Sequence, residues 1–188
     1  MNGHLLVSIS SIFDDTRKQA SRLLSILDRE EIPVSLLIAP HIDGNWHLAK
    51  DKDTKKWLQD QADAGRVLIL NGFDRSVQGR RAEFANLDSH EAKFEVAAST
   101  RGILQINSGK FHQARNLSFG EGFGSAKWWR KNIIRAAERS AQRGNTVRLS
   151  VSGRNLDDRK VINDFVKAAD RAINAGATPA DYGAYLLN

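Results

Sequence analysis

Short apolar runs alternate with amphipathic helical stretches along nearly the whole chain, and no other feature constrains the fold as strongly. Residues 5–9, 34–38, 67–70, 103–106 and 147–151 read as buried strands. Between them, 15–29 places Ala20, Leu23, Leu24 and Leu27 on one helical face. Residues 89–100, with Phe94, Ala97 and Ala98, and residues 125–143, followed by Gly144, are two further helices. The stretch 41–56 is expected to be a loop leading into a short helix that carries Trp57 and Leu58 and ends at Gly65. A last long helix, capped by Asp157 or Asp158, shows a stripe of Ile162, Phe165, Val166, Ala169 and Ile173. Residues 107–124 are glycine-rich and read as an irregular loop. About five βα units in series imply a mainly parallel α/β sheet with helices on its faces, because crossovers between parallel strands are right-handed. An open doubly wound sheet and an incomplete (β/α) barrel both satisfy this order. Both gather their ligand sites at the C-terminal ends of the strands.

Composition narrows the function classes. A chain of 188 residues is expected to form a single domain over 1–188. It has no cysteine, which excludes disulfides, thiolate metal sites and a cysteine nucleophile. With no apolar run near 18 residues and no leader-like N-terminus, the expected location is cytoplasmic, with no membrane partner. The net charge of +6 favours anionic partners. No serine sits in a Gly-x-Ser-x-Gly elbow. "GEGFG" at 120–124 lacks the Lys-Ser/Thr of a phosphate loop and reads as a connector.

The expected strand ends are Ser10-Ser11, Ala39-Pro40, Asn71-Gly72-Phe73-Asp74-Arg75, Asn107-Ser108 and Ser152-Gly153-Arg154. Around them, "LLVSIS" followed by "SRLLSILDREEIPVSLLIAP" resembles the first βαβ unit of the polysaccharide deacetylases, the NodB-homology superfamily. "WLQDQADAGRVLILNGFDR", "AEFANL", "VRLSVSGRNLDD" and "PADYGAYL" fit a bacterial branch of that superfamily in the same order. The resemblance covers most of 4–105 and 146–187, whereas 106–145 matches poorly and looks shortened. It implies a distorted (β/α) barrel and a divalent metal, usually zinc. It also implies a base Asp and a metal Asp after the first strand, two His four apart after the third, and a His near the end of the last. In such a site imidazoles and a carboxylate hold the metal with a position open. The metal polarises an acetamide carbonyl and acidifies a water, while other groups move the protons.

The residues at those positions differ. The acid pair falls on Ser10 and Ser11, the histidine pair on Asn71 and Arg75, and the late histidine on Ser152. Hydroxyls are poor divalent ligands, and an arginine would place a fixed positive charge where the metal belongs. The expectation is therefore a catalytically degenerate relative that binds without a cofactor. Its candidate ligand residues are Ser10, Ser11, Asn71, Asp74, Arg75, Ser152 and Arg154, which suit a carbohydrate or a small anion. The alternative is an active deacetylase whose zinc or other divalent metal is served by Asp14 and Asp15, since "IFDD" resembles the superfamily's first motif. The plainer reading is that Asp14 or Asp15 caps the following helix. Of the histidines, His4, His90 and His112 lack a partner at a diagnostic spacing, and His41 and His47 with Asp43 make at most a weak cluster.

A second feature is basic. Lys127, Lys131, Arg135, Arg139 and Arg143 recur every four residues, with Arg130 beside them. This row suits an anionic polymer or an acidic protein, or it is the solvated outer face of an α/β helix. Of Trp128 and Trp129, one is expected in the core.

Overall fold

The computed structural model describes residues 2–70, 74–75, 103–104, 116–120 and 125–187. Strand β1 (His4–Ser10) leads into helix α1 (Asp14–Arg29), then β2 (Val34–Ile38), a hairpin of β3 (His41–Ile42) and β4 (Trp46–His47), and α2 (Lys52–Asp63). Strands β5 (Leu68–Leu70), β6 (Asp74–Arg75), β7 (Ile103–Leu104) and β8 (Asn116–Phe119) follow. Helix α3 (Lys127–Gln142), β9 (Val147–Ser152), α4 (Arg159–Asn174), β10 (Thr178–Ala180) and α5 (Tyr182–Leu187) complete the order.

The main sheet runs β7-β5-β2-β1-β9-β8, and all its ladders are parallel. β9 flanks β1 from Leu5 to Ser10. On the other edge, β10 pairs with His4–Leu6 and β2 with Val7–Ile9. Alternation along the strands explains the two faces. Leu5, Val7 and Ile9, with Leu36, Leu149 and Val151, pack against the apolar faces of α1, α3 and α4 in one core. Burying each such side chain stabilises by about 1.5–3 kcal/mol. On the other face the register sets Ser35, Ser8, Ser150 and Ser118 in a row across four strands. At its lower end Leu6, Leu37 and Ile69 gather around Tyr182, whose hydroxyl accepts from Arg148 Nε at 3.1 Å.

Two expectations are corrected here. Residues 116–119, read as part of an irregular loop, form β8 and pair with β9. The loop after β2 folds into a hairpin, because Asp43 and Gly44 both adopt positive φ (54° and 73°), the backbone that an Asp-Gly turn favours. The expected helix 89–100 lies outside the described residues.

Candidate functional site

β1 and β9 end side by side, with Ser10 opposite Ser152. Beyond Ser10 the chain turns sharply. Ser11 sits at φ 53°, a left-handed conformation that costs a non-glycine residue about 1 kcal/mol. Thr16 holds that turn: its Oγ1 donates to Ser11 O at 2.7 Å and accepts from Phe13 N at 3.1 Å. The end of β9 presses onto the same turn. A Cβ on Gly153 would lie 2.7 Å from Ser11 O and 2.9 Å from Thr16 Cβ, so only glycine fits there unless the turn shifts. Ser10, Ser11 and Ser152 are all buried. The strand ends are thus closed over by the protein's own chain.

Arg154 completes the closure. Its Nη2 meets Asp43 Oδ2 of the hairpin at 2.6 Å, and its guanidinium lies 4.9 Å from the centroid of the Phe13 ring. The hairpin places His41 opposite His47 with ring centroids 4.0 Å apart. Asp43, the third member of the expected cluster, is engaged by Arg154. Among the described residues no three His, Cys, Asp or Glu side chains gather as a metal set. The backbone of Asp74–Arg75 pairs with β3, which brings both residues to this end of the molecule. Asn71, His90 and His112 lie outside the described residues. His4 sits at the start of β1, the opposite end, its ring 5.4 Å from that of Tyr185.

Asp14 and Asp15 are neither caps nor inward-facing acids. The N-cap of α1 is Phe13, and both aspartates sit exposed in the first turn, where carboxylates favour the helix dipole. Asp14 instead borders an open cleft of about 630 Å³ that sequence reading missed. Arg17, Asn45, Trp46, His47 and Asp51 line it with Asp14. Asp51 organises it by capping α2: it accepts from Thr54 N at 2.9 Å, Thr54 Oγ1 at 2.6 Å and Trp46 Nε1 at 3.1 Å. Burial acts to raise the Asp51 pKa, but the Thr54 and Trp46 hydrogen bonds and the nearby Arg17 charge outweigh it, leaving the carboxyl below its ordinary range. Trp46 also meets the Phe13 ring edge-on at 5.9 Å. Phe13 therefore links the cleft to Arg154. The legible signal was Asp51 followed three residues later by Thr54, ahead of a helical stretch.

On α3, Lys127, Lys131, Arg135, Arg139 and Arg143 are exposed. Arg130 is not part of that surface. It is buried, its Nε donates to Asp164 Oδ2 at 2.6 Å, and its Nη1 donates to the Ser125 carbonyl. Trp129 packs against the core and donates to Ser118 O, whereas Trp128 is 56% exposed.

No family model matches the sequence, and no curated protein matches it significantly. Solved structures do. The chitin deacetylase from the fungal pathogen Colletotrichum lindemuthianum is 12% identical, with a TM-score of 0.57 over 98% of this chain and 87% of that one. The Xyl-CE4 domain of a multidomain xylanase from the hindgut metagenome of Trinervitermes trinervoides is also 12% identical, with a TM-score of 0.57 over 100% of this chain and 91% of that one. The fold is that of the polysaccharide deacetylases. Within this deacetylase-like scaffold, the described strand-end groups do not suit a divalent cation. Ser10, Ser11 and Ser152 offer neutral hydroxyls, and the Asp43 carboxylate pairs with Arg154.

Proposed function

We propose that this chain is a deacetylase-like scaffold that binds a carbohydrate or small anion without metal-dependent hydrolysis. One observation supports the reading: the ends of β1 and β9 present the neutral hydroxyls of Ser10, Ser11 and Ser152, and the nearby Asp43 carboxylate is paired with Arg154. Among the described residues, an open cleft lies beside that end. Trp46 offers an aromatic face to a sugar ring, Asp14 and Asn45 accept from or donate to hydroxyls, and Arg17 and His47 suit an anionic substituent. Arg154 and Phe13 act behind it as positioning groups that hold the hairpin in place. The alternative of a metal-dependent deacetylase using Asp14 and Asp15 has less support, because both carboxylates face solvent from the first turn of α1.

The test is calorimetric titration with chitin and xylan oligosaccharides and with inorganic phosphate, alongside an assay for acetate release in added zinc. Binding that disappears in Trp46→Ala, with no acetate released, is the expected result. Zinc-dependent acetate release, or no binding of any of these probes, overturns the reading.

A further inference from the structure

The positive charge of this protein is concentrated on one helix. Residues 127–143 carry six cationic side chains and one anionic, a net of +5, against +6 for the whole chain; all other residues together contribute +1. Two of those seven are neutralised internally, Arg130 by Asp164 and Glu138 by Arg171 at 3.3 Å. The remaining five, Lys127, Lys131, Arg135, Arg139 and Arg143, are exposed, and none has a carboxylate within ion-pair distance among the described residues. Five like charges in one row repel each other, and among the described residues no ion pair offsets them. The buried face of the helix is made by Arg130, Ile133, Ala137 and Ala141 instead.

We propose that the outer face of α3 binds single-stranded nucleic acid. Each step of four residues advances the row by about 6 Å and rotates it by about 40°, so the five cations form a winding ridge about 24 Å long. A flexible strand, with one charge per nucleotide, follows such a winding row. A duplex, stiff over about 150 base pairs, meets only part of it. Three of the five cations are arginines, whose planar guanidinium pairs with phosphate in a bidentate manner. Trp128 stands at the start of the row with its ring exposed, against the fixed Trp129, and offers a stacking surface for a base. An acidic protein does not call for that aromatic, and heparin is the sulfated-polysaccharide competitor in the test.

Fluorescence anisotropy with a labelled oligothymidylate of about twenty nucleotides tests this on the full chain. With about five phosphates neutralised, log affinity falls against log salt with a slope of about −3.5, roughly a hundred-fold between 50 and 200 mM. Lys131→Glu with Arg135→Glu flattens that slope to about −2 and weakens binding more than ten-fold. Trp128→Ala weakens binding at least five-fold and leaves the slope unchanged. Circular dichroism should show all variants folded, since each site is exposed. Oligothymidylate binding that none of these changes alters overturns the proposal. So does binding to heparin, or to an acidic polypeptide, without binding to the oligonucleotide. Trp46→Ala should leave this affinity intact, which separates it from the cleft.

Discussion

Gly153 does more for the strand-end geometry than its size suggests. A Cβ there would meet the Ser11 carbonyl at 2.7 Å and Thr16 Cβ at 2.9 Å, so any side chain forces the turn to shift. Gly153→Ala should therefore cost about 1–3 kcal/mol, as overpacking does, read as a lower urea midpoint with an unchanged slope. Arg130 makes the complementary point about charge. Removing it strands the Asp164 carboxylate and the Ser125 carbonyl, so Arg130→Ala should destabilise by about 2–4 kcal/mol. Arg135→Ala, five residues along on the exposed row, should change stability by less than about 0.5 kcal/mol. Thermal melts of the two variants side by side decide whether Arg130 belongs to the fold or to the surface. Its role was readable in principle. Arg130 stands three and seven residues before Ile133 and Ala137, on the helix face those residues bury, and one position out of step with Lys127, Lys131 and Arg135. Counting charge alone merged two faces of one helix.

At the level of elements, local pattern carried most of the structure. The first strand and helix were legible because Leu5, Val7 and Ile9 alternate and Ala20, Leu23, Leu24 and Leu27 recur with a helical period. β8 was not legible. Asn116–Phe119 is only four residues long, half of them polar, and it becomes a strand because β9 supplies its ladder. The hairpin was a misjudgement of turn chemistry, since Asp43-Gly44 is a strong short-range turn signal. The cleft escaped because Trp46, Asp51 and Arg17 come from three elements that only the fold brings together. Asp51 connects that cleft to stability. Its folded-state pKa lies below the unfolded one, so its contribution is fully present above about pH 4 and is lost as pH falls through the folded value. Asp51→Ala should cost about 1 kcal/mol at pH 7, and the gap from wild type should close in acid. Asp51→Asn keeps the cap to Thr54 N but sets an amide NH2 against Trp46 Nε1, so it should recover only part of that loss at pH 7. Melting curves at pH 7 and pH 3 check both.

At the scale of the whole molecule, a sheet of parallel strands brings the ends of β1 and β9 together beside the hairpin. The scaffold and the chemistry at its mouth are separable. The first is set by apolar periodicity spread over many residues, and the second by a few side chains at strand ends. Identity of 12% is enough to keep the former, because many apolar combinations fill the same core. It says nothing about the latter. The central claim is that Ser10, Ser11, Ser152 and Arg154 leave these strand ends unable to hold a divalent cation. Thermal unfolding in zinc, with metal content measured on the same purified protein, tests it most directly. A site saturated a hundred-fold above its dissociation constant would add about 2.7 kcal/mol, roughly 5–10 °C for a chain of this size. The account predicts no such rise and far less than one zinc per chain. A stoichiometric zinc that raises the melting temperature and is removed by chelation would contradict it.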